Sequence, residues 1–262
     1  MTFETDSYAR SGDETIRDML VDLIAQRSKH TDRTRLTLSL NDAVERAALL
    51  TANEFAELSL TYLLRYTQHS ARNLAAFVEH LNTSVAPFMS DISTEESSYS
   101  YLEAQSCAVT SVMSTDLYSI WKQLYGGLFS KGLTNEQILA HLPDGKKGIL
   151  EGTALVLRCL NDATKFQLNA VNREVFHREA ARVALDKNER DNLWNMFEGS
   201  MWSKQELIDN LLPRVPTIKR LVELWDTTPL NHLTLTSVGI AIAHANCVRL
   251  VGLDADLAIW IK

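Results

Sequence analysis

The chain has 262 residues, 45% hydrophobic and 23% charged, with a net charge of −7. That is enough apolar material for a sizeable core in one large domain or two small ones, and it argues against disorder. Ten glycines and five prolines are too few for a many-turned β-sandwich, and the acidic balance supplies no global attraction for nucleic acid.

Cys107, Cys159 and Cys247 are far apart and form no CxxC pair. Zinc fingers and ribbons are therefore excluded, and an odd count suits a reducing compartment. The first residues, MTFETDSYARSGDE, lack the basic head and apolar run of a signal peptide, and no stretch of 18 apolar residues occurs. The expectation is a cytoplasmic chain without a membrane span.

Residues 1–12 read as a flexible tail. From Glu14, the apolar set Ile16, Met19, Leu20, Leu23 and Ile24 has helical spacing. Gln26 to Arg35 is a polar connector, and Leu36, Leu38 and Leu40 alternate as in a short strand. Thr51 and Glu54 form a capping box ahead of the apolar FAELSLTYLLRYT, which predicts a helix in the centre of a bundle. Ser70 is placed to cap the next helix, with Leu74, Phe77, Val78 and Leu81 inward and Pro87 beyond its end. Helices follow over about Tyr99–Ala108 and Asp116–Tyr125, the second closed by Gly126-Gly127. A second capping box, Thr134 with Gln137, opens a short helix. Asp144 to Gly148 is a turn, and Ile149 to Val183 reads as nearly continuous helix.

Asp186 is placed to cap a helix through Trp194 and Phe197. Ser203 with Glu206 is a third capping box. A further helix follows Pro216, with Ile218, Leu221, Val222 and Trp225 inward. Asn231–Thr236 alternates. Thr236 or Ser237 then caps a helix to about Leu250, with Gly252 as its left-handed end. Leu257, Ile259 and Ile261 alternate, so the tail is expected to pair as a strand with residues 232–236. The fold class read from this order is mainly α. A multi-helix body over 13–185 is followed by a winged-helix-like unit with short strands over 186–262.

The motifs of common chemistries are missing. Neither GxGxxG nor GxxxxGK[ST] occurs, and HExxH and Gly-x-Ser-x-Gly are absent. Arg65/His69 and Arg173/His177 resemble the Arg–His spacing of helical RNases, but each pair is one residue too close. His244 reads as a buried histidine with a local hydrogen bond. Cys107 reads as a small buried hydrophobe, with no histidine placed beside it. No catalytic residue, metal or cofactor is assigned. The helix–helix–helix–strand order near the end suggests nucleic-acid geometry, with Arg214, Lys219 and Arg220 on phosphates. Glu223 and Asp226 on the same helix oppose that.

The ending Leu235-Thr236-Ser237-Val238-Gly239-Ile240-Ala241-Ile242-Ala243-His244-Ala245-Asn246, with Asp256-Leu257-Ala258-Ile259-Trp260-Ile261, resembles the close of a group of bacterial helical proteins. In its Leu-Thr-x-x-Gly segment that group is similar to abortive-infection proteins of the alpha type. Tyr101-Leu102-Glu103 and Gly127 to Gly132 match more loosely. The resemblance implies a bacterial cytosolic protein linked to phage defence, and it carries over no catalytic residue. The expected function is non-enzymatic, through contacts with a protein partner or with further copies of the chain, as a sensor or effector. The alternative is a winged-helix regulator that binds nucleic acid.

Overall fold

A computed structural model describes residues 14–140, 142, 155–170 and 172–262. The expected tail over 1–12 and the turn at Asp144–Gly148 lie outside the described residues. The described chain is mainly α. In order it forms α1 (Glu14–Ser28), α2 (Arg35–Ala47), α3 (Ala52–Arg65), α4 (Leu74–His80), α5 (Glu96–Ala104), β1 (Ala108–Thr110), α6 (Leu117–Tyr125), α7 (Asn135–Leu139), β2 (Val156–Arg158), β3 (Phe166–Leu168), α8 (Arg173–Arg182), α9 (Lys187–Gly199), α10 (Lys204–Leu211), α11 (Ile218–Thr227), β4 (Leu233–Leu235) and α12 (Ser237–Val251).

The chain divides into two compact units. The first takes the residues up to Gln68, then Leu81–Leu117, then Arg220–Lys262. The second takes His69–His80 and Tyr118–Lys219.

In the first unit α3 is central, as its composition predicts: every residue from Glu54 to Leu64 is buried. It packs against α12, whose residues Gly239 to Cys247 are likewise buried. A helix apolar on all sides needs neighbours on all sides, and α1 and α2 also pack on α12. A polar link joins α3 to α12 within this core. Asn246 Nδ2 donates to Ser59 Oγ at 2.9 Å, and Arg249 donates to Asn246 Oδ1 at 3.0 Å. β1 and β4 pair antiparallel, with Ala108 opposite Leu235 and Thr110 opposite Leu233.

The second unit has an aromatic cluster, in which Phe77 meets Trp121, Tyr125 and Phe129 at 4.9–5.6 Å between ring centres. A second cluster joins Leu168, Phe176, Leu193, Trp194 and Phe197. β2 and β3 form a hairpin, with Val156 opposite Leu168.

Several expectations are corrected. Leu36, Leu38 and Leu40 lie in α2, not in a strand. The decisive spacing is Leu36, Leu40, Ala43, Ala47, one buried helical face, and Thr34 caps it by accepting from Thr37 N. Ser70 does not cap α4; Asn73 does, its side chain accepting from Ala76 N at 2.9 Å. The described part of Ile149–Val183 is not continuous helix. Asp162 Oδ1 accepts from Thr164 N and Oγ1, which closes a turn and lets β2 and β3 pair before α8 begins. The final residues do not form the expected strand. Leu257–Ile259 is a single 3-10 turn capped by Asp256, and β4 takes β1 as its partner instead. The second wing strand is thus missing from the expected winged-helix unit, although the order α9, α10, α11, β4 is present.

Candidate functional site

The site stands in the first unit, where β1 runs into the loop Ser111–Asp116. Thr110-Ser-Val-Met-Ser-Thr-Asp116 is a polar stretch with two large apolar residues at its middle. In a polar loop such residues usually turn inward. Here Val112 is 101% exposed and Met113 77%.

The loop that presents them is fixed at both flanks. Ser111 N donates to the His232 carbonyl at 2.8 Å, and Thr115 N to the Asn231 carbonyl at 2.9 Å. The Thr115 carbonyl in turn accepts from the indole of Trp225, 2.7 Å away and fully buried. His232 Nδ1 lies 3.0 Å from the Ser111 carbonyl. Inside the loop, Met113 N donates to Ser111 Oγ at 3.1 Å. Each of these bonds removes a way for the tip to fold back over its own apolar side chains.

Beside Thr110, where the loop begins, lies a hollow of about 480 Å3. Its lining includes Glu96, Glu103, Thr110, Asp226 and His232. Three carboxylates against no lysine or arginine give it a negative floor. Arg65 sits behind one wall. Its guanidinium donates to the Asn231 carbonyl and lies 5.2 Å over the Trp225 ring, a cation–π contact that fixes the same segment.

The outer edges of the two-stranded sheet are already occupied. Thr110 N donates to the Glu103 carboxylate, and Leu235 N donates to the Tyr66 hydroxyl at 2.8 Å. Addition of a third strand at those amides is therefore blocked, and recognition here falls to side chains.

The residues singled out in the sequence are placed as follows. Arg214 is exposed in the turn after α10, and Lys219 and Arg220 are exposed on the first turn of α11. Arg220 is paired with Glu223 at 3.1 Å. Of the two Arg–His pairs, one is split between different partners and the other meets on a shared carboxylate. Arg65 is committed to Asn231 and Trp225, while His69 stacks on the His80 ring at 4.6 Å. Burial and the neighbouring His69 push His80 down to about 4. Asp191 joins Arg173, at 2.6 Å, to His177, at 3.4 Å, in a partly exposed cluster.

His244 is buried, with Nε2 2.8 Å from the Ala255 carbonyl, and burial lowers its pKa. Cys107 is buried, and burial pushes its thiol up to about 12. A thiol held in its protonated form is no nucleophile at neutral pH. Among the described residues no group of three or more His, Cys, Asp or Glu side chains could hold a metal ion, and no helix is long and apolar enough to cross a membrane.

Val112 and Met113 are not among the residues that stand out in the sequence. Their signal was present as an apolar pair inside TSVMSTD. What it lacked was the anchoring by Trp225, Asn231 and His232, more than a hundred residues away.

A family model described only as “-like”, with no activity in its description, matches residues 4–261. The chain belongs to this family. No curated protein and no solved structure matches it.

Proposed function

We propose that the protein works without catalysis, by docking a partner protein on the Val112–Met113 tip. The single observation that carries this reading is the exposure of two large apolar side chains on a loop pinned at both ends. A mobile loop that orders on binding loses conformational entropy; a loop already fixed loses little. Methionine adapts to an irregular partner surface. The carboxylates of the adjoining hollow select a partner segment with lysine or arginine beside its apolar residues. Following the resemblance of Leu235–Asn246 to a group of bacterial helical proteins that is similar, in its Leu-Thr-x-x-Gly segment, to abortive-infection proteins, the proposed setting is a bacterial response to phage.

A photo-cross-linking amino acid at position 112 in living cells tests the contact. The expected product is one discrete adduct with a basic, apolar segment of another protein. Met113→Asp abolishes it, Glu96→Lys weakens it, and Val21→Asp, on another exposed apolar position, leaves it intact. No adduct, or an adduct of two copies of this chain, overturns the proposal. The setting is tested separately by phage plating on cells carrying the wild type or Met113→Asp. Equal plating on both, relative to cells without the protein, removes the defence role.

The competing proposal keeps residues 186–262 as a winged-helix-like unit with Arg214, Lys219 and Arg220 on phosphates. It requires salt-dependent binding to duplex DNA that Lys219→Glu weakens; absence of binding at low salt removes it.

A further inference from the structure

The second unit contains a cleft of about 310 Å3 between α6, the start of α8, and α9. Its floor is apolar and aromatic: Trp194 and Phe197 from α9, then Met201, with Ala170 opposite. The Trp194 and Phe197 rings are 5.6 Å apart and inclined at 60°. They also belong to the packed core of this unit, so the floor is rigid. The turn Gly126-Gly127 forms part of the wall. A β-carbon on Gly126 would come within 3.2 Å of Met201 Cε, so an alanine there needs the flexible end of the methionine to give by a few tenths of an ångström.

Two cations line the cleft, Lys122 on α6 and Arg173 on α8, against one carboxylate, Glu198. Each cation is steadied by an acid from α9. Lys122 is 3.6 Å from Glu198, and Arg173 is 2.6 Å from Asp191. These pairs hold the cationic groups in place while leaving both side chains a third or more exposed, 33% for Lys122 and 51% for Arg173. An anion entering the cleft meets two partly exposed cations, each balanced by one carboxylate of α9, in a chain of net charge −7. The volume is at the lower end of the range for small-molecule sites, and such sites combine an apolar floor with a few polar groups that orient the ligand.

We propose that this cleft binds a small amphiphilic anion: a flat apolar body on Trp194, Phe197 and Met201, with a carboxylate, phosphate or sulfonate between Lys122 and Arg173. Neither Lys122 nor Arg173 has a role in the docking tip, so the inference is independent of the function proposed above.

The test uses 8-anilinonaphthalene-1-sulfonate on the full chain, with near-UV circular dichroism confirming the fold. Its comparison probe is N-phenyl-1-naphthylamine, which has the same rings and no anionic group. Saturable binding of one sulfonate probe per chain is expected, with the uncharged probe at least tenfold weaker. Lys122→Gln and Arg173→Gln should each weaken the sulfonate probe three- to tenfold and leave the uncharged one unchanged. Ala170→Trp, or Gln123→Trp should the first variant lose its near-UV signal, should remove both probes by filling the cleft. Equal affinity for the two probes overturns the preference for an anion. Unchanged sulfonate binding in the filled variant overturns the site.

Discussion

Glu57 is a carboxyl group with no exposure at all, on the most buried helix of the first unit. Ser98 Oγ lies 2.9 Å from Glu57 Oε2 and 3.0 Å from Glu54 Oε1. One hydroxyl proton serves one of these contacts, so the other requires a proton on a carboxyl group. Glu57 keeps it: burial, with Glu54 nearby, pushes its carboxyl up to about 8, and the bonds from Ser98 and the Ser93 backbone offset only part of that. Tyr99, also buried, has its phenol held protonated mainly by burial, and Glu57 adds to that. The sign follows from linkage. Between the unfolded value near 4.5 and the folded value near 8, the folded state holds one more proton than the unfolded state, so stability falls as pH rises through that window and levels off above it. Glu57→Gln keeps the shape and cannot ionise. The variant is expected to melt within a degree or two of wild type at pH 4.5 and at least about 5 °C higher at pH 8.5. A constant difference between the two melting curves across that range, followed by calorimetry, would show that Glu57 is not the group that titrates.

At the scale of elements, the sequence was most legible where a structure depends on neighbours a few residues apart. The capping boxes at Thr51/Glu54, Thr134/Gln137 and Ser203/Glu206 all form, because each needs only a hydroxyl and a side-chain acceptor three positions on. The α12 start at Thr236 and its left-handed end at Gly252, φ 65°, were readable for the same reason. The failures depend on distant partners. Nothing local in LTL at 233–235 says that its partner is Ala108–Thr110, and without that partner the alternating tail looked like the natural choice. The exposed Val112–Met113 tip is illegible for the same reason, since its exposure depends on residues 225–232.

Gly239 of α12 faces the residue just before β1: a β-carbon there would sit 1.9 Å from the Cys107 carbonyl oxygen, a backbone atom. Thr236 binds the same corner: its N donates to that carbonyl, and its Oγ1 donates to the Ser106 carbonyl at 2.7 Å. Gly239→Ala must therefore drive α12 away from β1 or break the β1–β4 pair. The expected loss is roughly 3 kcal/mol or more, read as a lower denaturation midpoint in urea at unchanged slope. A loss below about 1 kcal/mol would mean that the corner yields freely.

At the scale of the whole molecule, both ends of the chain build the first unit. α1–α3 come from its beginning and α11, β4 and α12 from its end, so the core around α3 is complete only when the last residues are in place. Those residues close it without the strand that their alternation suggested. Leu257 and Ile261 are buried, at 5% and 3% exposure. Trp260 donates its indole N–H to the Tyr66 carbonyl at 2.7 Å, and its ring meets that of Tyr62 at 5.1 Å. The Ala255 carbonyl is the only hydrogen-bond partner described for the buried His244 ring, whose Nδ1 has none. Removing residues 253–262 would uncover α3, take the tryptophan bond from Tyr66 and remove the carbonyl partner of His244 Nε2. Burial of the two aliphatic side chains and the lost hydrogen bonds together amount to roughly 5 kcal/mol. The truncated chain is therefore expected to melt about 10 °C or more below the full one. Amide exchange in α3 and α12 should rise most within this unit, because those helices lose their cover directly. Unchanged exchange in both helices would show that the last ten residues lie on the first unit without holding it together.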